Sequence, residues 1–529
     1  MHYRVPSSAL VLCLLTVTII EFSPIALSQP MVKKHDDMTA AKLVDNVRKA
    51  VHYDKIRKLK YGFTVEEVPA ASNNPNGFIY RFGRGGRVRR EGTGESRNPF
   101  IFDGKDGWSI DPRTELAVPN SQSGREKLLF PAWIRSGWWL DKNAPLRMSI
   151  LAGESDEKIV ALAMKFSDGL VGAKLFINRG TWLPSKLIVE YAAGPYTVEF
   201  NEYEESLGFL YPRQIKINYR NSDSIYKVKT VAEILSENGN SFVGFIPPND
   251  TAFDNAVPAE LKLSKGEGEG GNYFVRPLID GREVGPFNFD SGHPVMMIDA
   301  KIADKLGMPI LSTTKITGND GNTQTATLRR GKTFQLGRLI ITDPIYLVSD
   351  LSDRSAPAGE KRAGVCGYPI FARSVVEFSR GGERIALYDP ATYKLQKGRW
   401  QELFRAAHAP AIHARLEGER RGLFMLDTGA SVTVFFNSLY SKEQGLLNGR
   451  QTRELIGEGS GGGTLKTLVG QIQWFDLAGH RFINPTVEFA IEGEGVEQDG
   501  IAGIIGREFM KHFQTIIFHF PAKRLAFVE

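Results

Sequence analysis

Short runs in which apolar and polar residues alternate dominate this chain. Ile215, Ile217 and Tyr219 share one face, as do Tyr226, Val228 and Thr230, and the positions between them are polar. That is the period of a strand with one side packed and one side wet. Lys186–Tyr191 and Tyr196–Phe200 read as further strands, and so do Gly77–Phe82 and Arg87–Arg90 around a Gly-Gly turn. Phe100–Pro112 reads as two strands about an Asp-Gly turn. Met38–Leu59 carries a helical spacing, with Leu43, Val47 and Val51 four apart and Thr39 placed to cap the first turn. The pattern predicts a mainly β protein. Its first part, residues 37–245, is expected to be a curved antiparallel sheet packed on a helix.

A change of composition follows. Residues 246–272 contain Pro247-Pro248-Asn249-Asp250 and the run Lys265-Gly-Glu-Gly-Glu-Gly-Gly-Asn272. Pro and Gly at that density read as a poorly packed linker. From Tyr273 the chain says nearly the same thing twice. Asn288-Phe289-Asp290-Ser291-Gly292 returns 137 residues later as Met425-Leu426-Asp427-Thr428-Gly429. Gly364-Val365-Cys366-Gly367 is answered by Gly503-Ile504-Ile505-Gly506, the last glycines lying 77 and 79 residues after their aspartates. Each copy then has a strand, a basic turn and a strand, and each has a Gly-rich turn midway, Gly318–Gly321 and Gly457–Gly463. The copies occupy residues 273–390 and 405–529.

Phe424-Met425-Leu426 runs as buried strand into the tight turn Asp427-Thr428-Gly429. Here the chain resembles the retropepsin-like, pepsin-type aspartic proteases. Their catalytic loop is written this way, and their second signature is two apolar residues and a glycine followed by Arg, as in Gly503–Arg507. The resemblance implies two tandem pepsin-like β lobes related by a pseudo-two-fold axis, with Asp290 and Asp427 meeting on it. Two carboxylates so close share one proton. One takes a proton from a water and the other donates to the carbonyl of a polypeptide substrate, with no metal and no cofactor. The resemblance also assigns Ser291 and Thr428 to bracing the turns. Gly292 and Gly429 admit close backbone approach. A flap is expected at Gly457, Gly459 and Gly461. Arg507 is expected as an ion-pair partner beneath the loop. The string from Gly77 to Pro112 is similar to the LolA-like envelope lipoprotein carriers, which implies an apolar concave face and a lipid or lipoprotein ligand. Trp133, Trp138 and Trp139 then either line that cavity or are ordinary core.

The first copy departs from the pattern. His293 and Pro294 stand where a small residue is usual, and Tyr368-Pro369 follows Gly367 in place of Arg. A protonated His293 favours the ionised carboxylate and lowers the pair's pKa values. Three readings stand: an asymmetric active pair, a pair retuned by His293, or a degenerate lobe. The last leaves a peptide- or lipid-binding envelope protein without activity, or a site completed by a second chain. Ala430 removes a hydroxyl donor near Asp427, which leaves that carboxyl higher than a serine would and moves activity toward neutral pH.

The remaining features bound the answer. The chain has 529 residues, 42% apolar and 24% charged, enough for several domains with sizeable cores. His2 and Arg4, the apolar run Ala9–Ile20 and Ala26-Leu27-Ser28 read as a leader over residues 1–28, hence a secreted, periplasmic or envelope protein. The alternative is an uncleaved anchor. Cys366 is then the one cysteine left, so no internal disulfide forms, and its apolar neighbours predict a buried thiol. Net charge is +6 and the basic residues are scattered except for Arg84–Arg90, which either meets an anionic surface or is the solvated face of a hairpin. No nucleic-acid motif and no His-Glu-x-x-His occur. The expected state is a monomer.

Overall fold

Alternation in the first half resolves into one thirteen-stranded sheet, antiparallel throughout. The computed structural model describes residues 38–529 except 72–76, 94–98, 112, 168, 170, 191–194, 220–221, 237–240, 244–247, 267–270, 318–322, 352–355, 380–382, 407–408, 459–463 and 492–499. The expected leader lies outside the described residues. From the edge strand Leu116–Pro119 the sheet runs back along the chain to Phe63–Pro69. It continues from Ser222–Glu233 to the other edge, Leu146–Ile150.

The single helix expected over Met38–Leu59 is two, α1 (Ala40–Ala50) and α2 (Tyr53–Lys58). Thr39 caps α1 as expected, its side chain accepting from Lys42 N–H at 3.2 Å. The break falls at His52, whose φ is 57°. There the Val51 carbonyl accepts from Leu210 N–H of strand Phe209–Tyr219 at 3.2 Å, a partner outside the helix.

A third helix, α3 (Gln122–Ser136), joins the two edges of the sheet and was not legible as a helix. Ser121 caps it, accepting from Gly124 N–H at 3.1 Å, and Gly137 in the left-handed region ends it. Polar and apolar residues alike are buried along it, among them Glu126, Lys127, Phe130, Trp133 and Arg135. Trp133 and Trp139 are core, as one of the two readings has it, and Trp133 Nε1 donates to Gly86 O at 2.9 Å. Gly86 has φ +72°, and a Cβ there would meet the Trp138 indole at 2.5 Å, so only glycine serves. The interior beside α3 is part apolar and part charged. It holds a cavity of about 120 Å³ lined by Tyr80, Arg90, Lys127, Pro131, Arg135 and Tyr196 among others. The Arg84–Arg90 run forms a hairpin turn in which Arg84 donates to the Arg57 and Leu59 carbonyls and Arg87 lies over the Phe242 ring.

In the second half one pairing order occurs twice. Phe287–Phe289 is parallel to Gly364–Cys366, which is antiparallel to Met297–Asp299, itself parallel to Ile345–Ser349. Likewise Arg420–Leu426 is parallel to Gly503–Ile505, which is antiparallel to Val434–Phe436, itself parallel to Thr486–Ala490. A six-stranded sheet joins the copies through Val375–Ser379 against Thr515–His519. The stretch read as a linker contributes three short strands: Thr251–Phe253, Glu260–Lys262 and Ser264–Lys265 pair with Leu339–Thr342, Arg384–Tyr388 and Tyr273–Val275.

Candidate active site

Each aspartate is set by the parallel strand beside it. Asp290 N–H donates to Cys366 O at 2.9 Å, and Asp427 N–H to Ile505 O at 3.0 Å. Within each turn the glycine amide returns to the carboxylate: Gly292 N–H to Asp290 Oδ1 at 2.9 Å, Gly429 N–H to Asp427 Oδ1 at 2.7 Å. The turns are then locked crosswise. Ser291 N–H donates to Thr428 Oγ1 at 2.9 Å and Thr428 N–H to Ser291 Oγ at 3.0 Å. Ser291 Oγ donates to Leu426 O at 2.9 Å and Thr428 Oγ1 to Phe289 O at 3.1 Å. Both hydroxyl residues are buried, so every polar atom in this lock is paired away from water. The carboxylates lie against the opposite turn. A Cβ on Gly292 would sit 2.5 Å from Asp427 Cγ, and one on Gly429 2.5 Å from Asp290 Oδ2.

Burial and mutual proximity set the charge. Desolvation first, then the Asp290 charge, pushes Asp427 up to about 7. Desolvation also raises Asp290, while the hydrogen bond from Asp427, the Gly292 amide and the charges of Arg507 and Arg362 pull it back. Two carboxyls raised and coupled in this way are able to share one proton. His293 Nδ1 lies 2.9 Å from Val295 O. Burial holds its imidazole below the ordinary value, so it is neutral at neutral pH. The downward shift of the pair expected from a protonated His293 therefore does not arise.

The residues after the second-signature glycines brace the turns alike. Arg507 N–H donates to Ala430 O at 2.9 Å, and Tyr368 N–H to His293 O at 2.8 Å. The Arg507 guanidinium is buried, donates to Thr428 O at 2.8 Å and Asn272 Oδ1 at 2.7 Å, and lies over the Tyr273 ring. It braces the turn by these hydrogen bonds, and the charges of Asp427, Asp290 and Glu508 reach it. In the first copy the roles are exchanged: Tyr368 supplies the ring, and the buried Arg405 lies 4.0 Å over it. Arg405 was missed, as was Arg362, whose charge reaches both Asp290 and His293. Nothing local marks either, because each acts on a turn that only the fold brings near. Cys366 is fully buried and burial pushes its thiol up. Gly457 ends no tight contact in strand Arg453–Glu458, and Gly459 and Gly461 lie outside the described residues, as does the turn Gly318–Gly321. Among the described residues no group of three or more His, Cys, Asp or Glu could hold a metal, and no helix is long and apolar enough to cross a membrane.

A β-rich half with paired, mutually locked Asp-Ser/Thr-Gly turns defines an aspartic-protease-like domain. An aspartyl protease family model matches residues 275–370 and again 412–509. No curated protein matches the chain. Among solved structures, a LolA superfamily protein from Nitrosomonas europaea is 15% identical, with a TM-score of 0.29, over 39% of this chain and 98% of that one. MucB is 12% identical with a TM-score of 0.16, over 58% and 93%. The MucA/MucB complex of Pseudomonas aeruginosa gives 11% and 0.13, over 58% and 99%.

Proposed function

We propose that the second half is an aspartic endopeptidase of two pepsin-like lobes, related by a pseudo-two-fold axis, acting on polypeptides outside the cytoplasm. The reciprocal lock between Ser291 and Thr428, which seats Asp290 and Asp427 against each other's glycine, carries this reading. Asp290, the acceptor of the pair, takes a proton from a water as the water adds to the scissile carbonyl carbon. Asp427 donates its proton to the carbonyl oxygen, giving the tetrahedral intermediate. Proton return to the amine nitrogen breaks the C–N bond. The hairpin Arg453–Glu458 to Thr464–Gln471, with Ile456 exposed, serves as the flap over an extended substrate. The turning of His293 onto Val295 supports an active first lobe over a binding relic.

The test is cleavage of an unfolded polypeptide by the mature chain across pH. The singly protonated pair is the active form, so the rate is expected to follow a bell whose alkaline limb falls near pH 7, where Asp427 loses its proton. No cleavage at any pH by the folded chain overturns the reading in favour of a non-catalytic peptide- or lipid-binding protein. Arg362→Ala removes a cation that favours ionised Asp290. The acid limb is expected to move to higher pH; an unmoved limb places Arg362 outside the electrostatics of the pair.

A further inference from the structure

The edge hairpin of the N-terminal sheet reaches the first catalytic turn. Its strands are Gly107–Asp111 and Leu116–Pro119. Leu116 and Val118 are buried in the same hydrophobic cluster as Phe287, Phe289, Tyr368 and Phe371, the strand and helix that flank Asp290. Tyr368 OH donates to Ala117 O at 3.0 Å. The hairpin is clamped at its two ends, by Glu115 to Arg330 at 3.4 Å and by Asp106 to Lys523 at 2.6 Å, with Lys523 also over the Trp108 ring. Between the clamps, Arg113 is fixed on Asp111 by two bonds of 3.0 and 2.7 Å, and its charge reaches His293.

We propose that this hairpin is a working part of the catalytic unit and that Tyr368 is its positioning residue, tying the turn after Asp290 to the N-terminal domain. Tyr368 joins the two: its amide holds His293 O at 2.8 Å and its hydroxyl holds Ala117 O. In the second copy the same backbone bond is made by Arg507, whose side chain anchors on Asn272 and Thr428. The first copy thus keeps the brace and exchanges its anchor, from within the lobes to the added domain. Tyr in place of Arg is a re-anchoring, and the first lobe is not degenerate on that account. An edge strand left bare pairs with whatever it meets, and here it is covered by the lobe it supports.

The proposal rests on the reading of Asp290 as catalytic, and its test separates the two. Tyr368→Phe keeps the ring over which Arg405 lies and removes the hydroxyl, with its bond to Ala117 and its hydrogen bond with Arg405. Arg113→Gln removes the cation and leaves an amide that can still donate to the buried Asp111 carboxylate, and circular dichroism checks that the fold is kept. Both are made in the mature full-length chain and read three ways: kcat and KM, hydrogen exchange over residues 290–296, and the His293 imidazole titration by NMR. Tyr368→Phe is expected to speed exchange over 290–296 and lower kcat roughly two- to tenfold, the worth of one hydrogen bond, with KM unchanged. Arg113→Gln is expected to raise the His293 titration, since a cation facing it is lost while Asp427 and Arg362 remain. Unchanged exchange in Tyr368→Phe, an unmoved His293 in Arg113→Gln, or a loss carried by KM alone each overturns the proposal. A wild type without cleavage overturns only the catalytic reading, and exchange and titration then decide the role of the hairpin.

Discussion

Asp427→Asn is expected to lower the cleavage rate about 10³-fold or more, and Asp290→Asn to do the same. In the proposed mechanism the two carboxylates act as one acid–base unit, so the double variant is expected to lose little beyond either single one. Loss with Asp427→Asn alone would mean a one-sided site. The same variant carries a second signature, in stability. Asp427 titrates near 3.9 when unfolded, about the reference value, and at about 7 when folded. The folded chain then binds this proton more tightly between those values. Its contribution to stability is complete below the unfolded value and is lost as pH rises through the folded one. Asn has no proton to lose. Three units correspond to about 4 kcal/mol at 1.36 kcal/mol each, and partial exposure in the cleft halves that to about 2 kcal/mol. The stability of Asp427→Asn relative to wild type should therefore rise by about 2 kcal/mol between about pH 4 and about pH 8. Denaturant unfolding at both pH values measures it, and a pH-independent difference removes the shared proton.

The second large effect lies in the N-terminal sheet. Strand Phe63–Pro69 alternates Phe63, Val65 and Glu67 inward. Glu67 meets Arg135 of α3 at 2.9 Å with both side chains out of water, and the guanidinium lies over the Tyr80 ring. Burial raises Glu67, against the pull of Arg135 and Arg90. Burial lowers Arg135, but Glu67 together with Tyr80, Tyr211 and Tyr196 more than offsets it and keeps the cation charged. Removing one partner therefore has unequal results. Glu67→Leu strands a cation that cannot deprotonate and should cost about 3–5 kcal/mol. Arg135→Met strands a carboxyl that can take a proton, so its cost should be smaller and should grow with pH. The double variant restores most of the loss, since apolar residues replace buried ion pairs at little cost. Urea unfolding followed at the Trp133 and Trp139 core tests this. Equal, pH-independent costs for the two single variants would show that water reaches the pair.

The site was legible because its marks are local. An aspartate in a tight turn needs Gly two positions on, a hydroxyl residue between, and apolar strand before, and Asp290 and Asp427 carry all of these within five residues. The 137-residue repeat then implied that the turns meet. Strand grammar in the first half was legible for the same reason, since one wet face leaves a period of two.

What the chain kept silent was set by partners distant in sequence. α3 is buried along most of its length, so Gln122–Ser136 shows little polar face to reveal a helix, and its charges answer Glu67 and the cavity. The break at His52 depends on Leu210, and the strands in residues 251–262 on edges that form more than 80 residues later. Arg113, Arg362 and Arg405 look like ordinary basic residues until folding brings them to the first catalytic lobe. The sequence by itself determined the two turns and the chemistry they can perform. Only the tertiary structure decided which charges face them and that the N-terminal hairpin supports one of them, because electrostatic reach and edge-strand cover depend on distance in space.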